Sequence, residues 1–145
     1  MDLTFQVYGK IAKPVDEVFD AVHDPAKISS YFTTGGASAP LDEGTTVMWD
    51  FADFPGAFPV HVRKVEKNRH IEIDWQAGDG EYDTHVRFEF EPVDGGTLVR
   101  ISESGWRQTP EGLKSSYGNC MGWTQMICAL KVWLEHGINL RAFMF

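Results

Sequence analysis

An α+β domain, in which a curved antiparallel sheet closes against one long C-terminal helix, is the fold class this sequence predicts. Three observations predict it. Alternating apolar and polar residues, punctuated by turn residues, run from Thr45 to Ile101; two short helical segments follow the first alternating stretch; and Tyr117 to Arg141 forms a helical segment with an unusually broad apolar surface. A length of 145 residues matches one domain spanning 1–145, and 43% hydrophobic content with 13% aromatic residues supplies one continuous core.

The elements follow in order. Leu3, Phe5 and Val7 alternate with Thr4, Gln6, Tyr8 and Lys10, the period-2 signature of a half-buried strand ending at Ile11. Pro14 then starts a helix with Asp16 and Glu17 in its first turn, at the positive end of the helix dipole, and Val15, Val18, Phe19 and Val22 on one face. Asp24-Pro25 ends it, a second short helix is expected from Ala26 to Phe32, and TTGGASAP reads as a flexible connector. Five strands follow, centred on Val47, Trp49 and Phe51; Phe58, Val60 and Val62; Ile71, Ile73 and Trp75; Thr84, Val86, Phe88 and Phe90; and Thr97, Val99 and Ile101. Turn residues at Asp53 to Gly56, Lys67 to Arg69, Ala77 to Gly80 and Asp94 to Gly96 let each pair form a hairpin, giving six or so strands in all. Pro110 and Glu111 suit a short first helical turn ahead of the long helix.

On that helix Cys120, Trp123, Ile127, Leu130, Leu134 and Ile138 share one side, and Met126, Ala129, Trp133 and Leu140 widen the surface to about half the circumference. A flat packing needs only a narrow stripe, so a helix apolar over this width is gripped by a curved sheet, with either a filled core or a cavity between them. Thr124, Gln125, Lys131, Glu135 and Asn139 keep one flank polar, and no uninterrupted apolar run of about 18 residues indicates membrane insertion.

Charge and cysteine content exclude several functions. A net charge of −8 without a basic cluster argues against nucleic acid and anionic membrane surfaces as partners. No secretory or lipidation pattern opens the chain, so the cytoplasm is the expected compartment. Cys120 and Cys128 lie roughly 12 Å apart along one helix, too far for a disulfide, and are expected as reduced thiols. The five histidines are scattered and no metal-ligand spacing is present, so neither a metal nor a cofactor is expected.

The candidate ligand-binding residues are inward-facing. Trp49, Trp75, Trp106 and Trp123 either fill the core or wall a pocket for a flat or apolar ligand, and Phe51, Phe58, Phe88, Ile127 and Leu130 would extend that wall. Tyr82 and Thr84 carry hydroxyls able to orient a ligand. Glu103 continues the inward phase of Thr97, Val99 and Ile101 unless a bulge turns it out. A carboxylate there costs several kcal/mol unless it is paired, hydrated or used on a ligand. His61, Arg63, His85 and Arg87 take the outward phase and read as solvated sheet surface. No serine or cysteine lies in a nucleophile elbow with a histidine and an acid, so an enzyme is not the favoured reading and no catalytic residue is assigned.

The stretches AKPVDEVFDAVHDPAKISSYF, GGTLVRISESGW and GWTQMICALKVWLEHG, taken with this element order, resemble the START-like, or SRPBCC, helix-grip superfamily. Within it they resemble the branch named after the activator of the heat-shock-protein-90 ATPase, as a bacterial single-domain member. The resemblance covers nearly the whole chain. It implies binding of a small hydrophobic molecule (lipid, phenolic or polyketide-like) between the sheet and the C-terminal helix. It also implies, as an alternative, a protein-interaction module with a chaperone partner, and the inward phase of Glu103 leaves a second alternative, a cyclase- or lyase-type enzyme using Glu103 as acid or base. The eukaryotic activators carry a further N-terminal domain, whereas this chain begins directly at its first strand, which ranks ligand binding ahead of chaperone stimulation.

Overall fold

The computed structural model describes residues 1–142 and 144. Its elements are β1 (Thr4–Ile11), α1 (Val15–His23), α2 (Pro25–Ile28), β2 (Gly36–Ala37), β3 (Thr46–Phe51), β4 (Phe54–Glu66), β5 (His70–Gln76), β6 (Asp83–Val93), β7 (Gly96–Ser104) and α3 (Pro110–His136). The strands form one antiparallel sheet in the order β1-β7-β6-β5-β4-β3-β2. From β2 to β7 it is a meander; only β1 lies at the far edge, beside β7, and α1 and α2 make the long connection across the sheet face. Register shifts between Trp49 and Phe51, and between Val62 and Lys64, mark where β3 and β4 bend and the sheet curves towards α3.

The inner face carries Val47, Trp49, Val60, Val62, Ile71, Ile73, Val86, Phe88, Val99 and Ile101, all buried, against Trp123, Met126, Ile127, Ala129 and Leu130 of α3. Val18, Phe19 and Val22 of α1 and Ile28 of α2 close the side of the same cluster. Close approach between helix and sheet depends on Gly9: a Cβ there would lie 2.7 Å from Ile127 Cγ2. On the outer face, Arg63 pairs with Asp74 at 2.7 Å, and His85 bridges Asp74 at 2.7 Å and Glu72 at 3.0 Å. The outward phase expected for Arg63, His85 and Arg87 is the one observed.

Five boundaries differ from the sequence reading, the first being the β3–β4 turn, which falls at Ala52 and Asp53 rather than Asp53 to Gly56 because Phe51 already pairs with Phe54. The long helix begins at Pro110 rather than Tyr117, because Thr109 Oγ1 accepts from Gly112 N at 3.0 Å and Pro110 fits the first turn. It stops at His136 rather than Arg141, because Gly137 takes a left-handed conformation (φ 69°) and caps it, leaving Ile138 outside the helix and exposed. The second helix is a single turn, Pro25–Ile28, nucleated by Asp24 Oδ1 accepting from Ala26 N; Tyr31 and Phe32 follow in turns yet are buried. The expected connector holds β2, whose Gly36 and Ala37 pair with Asp50 and Trp49 and make the sheet seven-stranded.

Candidate functional site

Glu103 organises one end of the space between sheet and helix. It lies on β7 between Phe5 of β1 and Val86 of β6, with the burial alternation of β7 unbroken through it, so the side chain points inward and is 1% exposed. Four side chains donate to its carboxylate. Trp75 Nε1 (3.0 Å) and Thr84 Oγ1 (2.6 Å) reach Oε2, Trp123 Nε1 (2.7 Å) reaches Oε1, and Asn119 Nδ2 lies 3.0 Å from both oxygens. The sheet supplies two donors by register: Trp75 pairs with Thr84 across β5 and β6, one step from the Val86 and Glu103 pair. The helix supplies the other two, since Asn119 and Trp123 are four residues apart and share one face of α3. A buried carboxylate demands such partners, and once surrounded it fixes the orientation of every donor.

Three of those donors border two adjoining clefts. One, of about 280 Å³, is lined by Phe32, Phe51, Asp53, Trp75, Gly118, Asn119, Met121, Gly122, Trp123, Gln125 and Arg141. The other, of about 230 Å³, is lined by Phe51, Phe54, Phe58, Trp75, Gln76, Gly78 and Asn119. Phe51, Trp75 and Asn119 belong to both, so the two form one bipartite depression around Trp75 near the end of the central strand β5. The walls are mutually braced rings: Phe32 meets Phe51 at 5.1 Å and Trp123 at 5.6 Å, Trp75 meets Trp123 at 5.3 Å, and Phe54 stacks on Phe58 at 5.8 Å. Arg141 covers the rim, its Nη2 2.9 Å from both Asp53 oxygens and its guanidinium over the Phe32 and Phe51 rings. A larger concavity, about 590 Å³, lies beside α1, but Asp16, Glu17, Asp20, His23, Lys27, Asp42 and Lys67 make it a solvated charged groove. Apolar walls with few polar groups favour the Trp75 clefts as the ligand site.

The structure brings together Phe51, Phe58, Trp75 and Trp123 of the residues expected from the sequence, with Glu103 directly behind them. Trp49, Phe88, Ile127 and Leu130 are enclosed in the core and line neither cleft. Trp106 stacks on Phe5 at 5.5 Å, away from both clefts. Tyr82 is half-buried outside them, donating to Asp79 at 2.6 Å and lying under the Arg107 guanidinium. Glu103 itself touches neither cleft, so the acid–base geometry the sequence suggested lacks a place for substrate beside the carboxylate. Sequence reasoning missed Asn119, Phe32, Phe54 and Arg141. A signal for the first was present: Gly118 and Gly122, four apart, strip side chains from the helix surface on either side of Asn119.

A sequence profile described as "Activator of Hsp90 ATPase homolog 1-like protein" matches residues 12–135. No curated protein matches significantly. Among solved structures, protein SSP2350 from Staphylococcus saprophyticus is 28% identical, with a TM-score of 0.79 over 97% of this chain and 96% of that one. DynU16, from the dynemicin biosynthetic locus, is 26% identical with a TM-score of 0.82; the match covers 96% of this chain but 49% of DynU16. The Aha1 dimer from Colwellia psychrerythraea, 21% identical over 92% of this chain and 97% of that one, shares the fold with a TM-score of 0.77. Curved seven-stranded sheet, gripped C-terminal helix and a profile match over most of the sequence agree: the chain belongs to the family of activator of Hsp90 ATPase homolog 1-like proteins.

Proposed function

We propose that this protein binds a small, flat, predominantly apolar molecule in the bipartite cleft around Trp75, without a chemical step. The observation that carries the reading is the aromatic wall of Phe32, Phe51, Phe58, Trp75 and Trp123, locked from behind by the Glu103 hydrogen bonds. Clefts of about 280 and 230 Å³ suit a ligand of two or three fused rings, or a chain of similar volume bent round Trp75. The place of DynU16 in the dynemicin biosynthetic locus is in keeping with a small-molecule ligand. Binding to the native state alone raises the melting temperature, so a thermal-shift screen of phenolics, polyketide-like aromatics and fatty acids is the test. The expected hit is an aromatic compound whose effect disappears in Trp75→Ala; a broad library with no hit would overturn the reading.

A second reading has its own observation. Leu113, Tyr117 and Met121, four residues apart on α3, form an exposed apolar stripe, with Tyr117 67% and Met121 60% exposed. Such a stripe fits a protein partner, and the family name makes a chaperone ATPase the first to try. Tyr117→Lys should abolish any stimulation of the cognate ATPase, and an unchanged ATPase rate with the unmodified protein would remove this alternative.

A further inference from the structure

The hydrogen bonds around Glu103 decide which atoms the cleft offers to a ligand. Both indole N–H groups nearest the cleft, Trp75 Nε1 and Trp123 Nε1, are consumed by the carboxylate behind them. Asn119 turns its Nδ2 to the same carboxylate, 3.0 Å from each oxygen. A carboxylate only accepts here, so the amide cannot be reversed, and Asn119 Oδ1 is left facing away from Glu103. That oxygen accepts no hydrogen bond among the described residues, is not sealed from solvent, and belongs to a side chain lining both clefts. Among the described residues lining the clefts the one carboxylate is Asp53, a further acceptor, matched by Arg141. The donors nearest Trp75 therefore point inward and an acceptor points out, while Arg141, held by Asp53, and Gln125 stand at the rim.

We infer that the cleft selects aromatic ligands carrying a neutral hydroxyl or N–H donor, phenols being the simplest, which Asn119 Oδ1 receives while the ring lies against Trp75 and Phe51. The inference rests on the cleft being a ligand site and adds the chemistry that it recognises. Glu103 acts as a positioning residue: it touches no ligand but fixes the sense of the Asn119 amide. An ionised carboxylate ligand meets an acceptor at Asn119 and a protein of net charge −8, and the rim cation, Arg141, is already engaged by Asp53. An apolar ring of the same size gains the aromatic contacts but leaves Oδ1 without a partner once water is displaced.

The test compares three ligands built on the same naphthalene ring, 2-naphthol, 2-methylnaphthalene and 2-naphthoate, by two-dimensional NMR titration of the isotope-labelled protein. Shifts of the Trp75 and Trp123 indole N–H and the Asn119 side-chain amide report the site as well as the affinity. The expected result is about ten-fold tighter binding of 2-naphthol than of either analogue, one hydrogen bond's worth of discrimination. In Asn119→Leu the ratio should fall to about one. Equal affinities, a preference for 2-naphthoate, or a naphthol preference that survives in Asn119→Leu would each overturn donor selection while leaving the cleft as a binding site. Absence of binding by all three would remove the cleft reading and the inference together. The ranking in the unmodified protein is decisive even if the leucine variant does not fold.

Discussion

At the scale of single residues, the molecule turns on a carboxylate that the sequence places correctly but leaves without company. Glu103 follows Thr97, Val99 and Ile101 in strict alternation, so its inward direction is legible from β7 alone. Its partners are not, because Trp75, Thr84, Asn119 and Trp123 come from two other strands and from α3, and only the register of β5 on β6 and the landing of α3 bring them within 3.0 Å. Glu103→Gln sets an amide donor against N–H and O–H donors whichever way it turns. Each buried donor left unpaired costs about 1–3 kcal/mol, so urea denaturation should show a loss of that size or larger, with near-UV circular dichroism altered by the freed indoles. A loss below about 0.5 kcal/mol would mean that the hydrogen bonds are not formed in solution. Trp123 is packed core and cleft floor at once, 2% exposed with Phe32, Phe88 and Trp75 rings against it. Trp123→Ala should therefore cost about 3–5 kcal/mol at an unchanged m-value.

At the scale of elements, the sequence reads the strands better than the ends of the helices. Period-2 alternation and turn residues such as Asp94-Gly95, where Gly95 has φ 82°, repeat in every hairpin, so each strand is announced twice. The ends of α3 depend instead on single residues, Thr109 and Gly137, which apolar periodicity does not weigh. The seat of α3 on the sheet depends on Gly9, where a methyl group would meet Ile127 Cγ2 at 2.7 Å. Gly9→Ala should destabilise by about 1–3 kcal/mol, the usual cost of overpacking. On the other side of the sheet, burial disfavours the His85 imidazolium, yet the hydrogen bonds to Asp74 and Glu72 outweigh it and hold the His85 pKa above its ordinary value. Burial likewise works against the Asp74 carboxylate, and the hydrogen bonds to His85 and Arg63 outweigh it and hold that pKa low. The His85 contribution is complete below the unfolded value, about 6.5, and disappears as pH rises through the higher folded value. The Asp74 contribution is complete above about 3.9 and disappears as pH falls through its lowered folded value. Their joint stabilisation is thus greatest between about pH 4 and 6.5, and it is modest because His85 is partly exposed. The stability difference between wild type and His85→Ala, measured by urea denaturation, should be larger at about pH 5.5 than at about pH 8.5; the reverse order would contradict the pairing of His85 with Asp74 and Glu72.

At the scale of the whole molecule, fold class was legible and cleft position only half so, for one physical reason. Burying apolar area is a collective demand that many positions encode redundantly, whereas the cleft exists where a few positions withhold atoms: Gly118 and Gly122 on α3, and Gly78 after β5. Phe32, in a stretch expected to be helical, becomes the hub of the aromatic wall because α2 ends after one turn and lets the chain fold back. The same hub joins sheet, α3 and the segment after α2 into one core, in which Trp49, Trp75 and Trp123 are linked ring to ring. The buried face of α3, the apolar faces of α1 and α2 and the Tyr31–Phe32 segment pack on the same inner face of the sheet, so the core is one continuous cluster. Unfolding in urea should therefore be one transition, with tryptophan emission, which reports the core, and far-UV circular dichroism, weighted by the 27-residue α3, giving the same midpoint. A saturating cleft ligand should raise both midpoints equally, because it binds a surface built jointly by sheet and helix. Separated midpoints, or a ligand that shifts only the emission curve, would show α3 releasing the sheet as an independent step, and the grip would then be a mobile contact rather than the core of the fold.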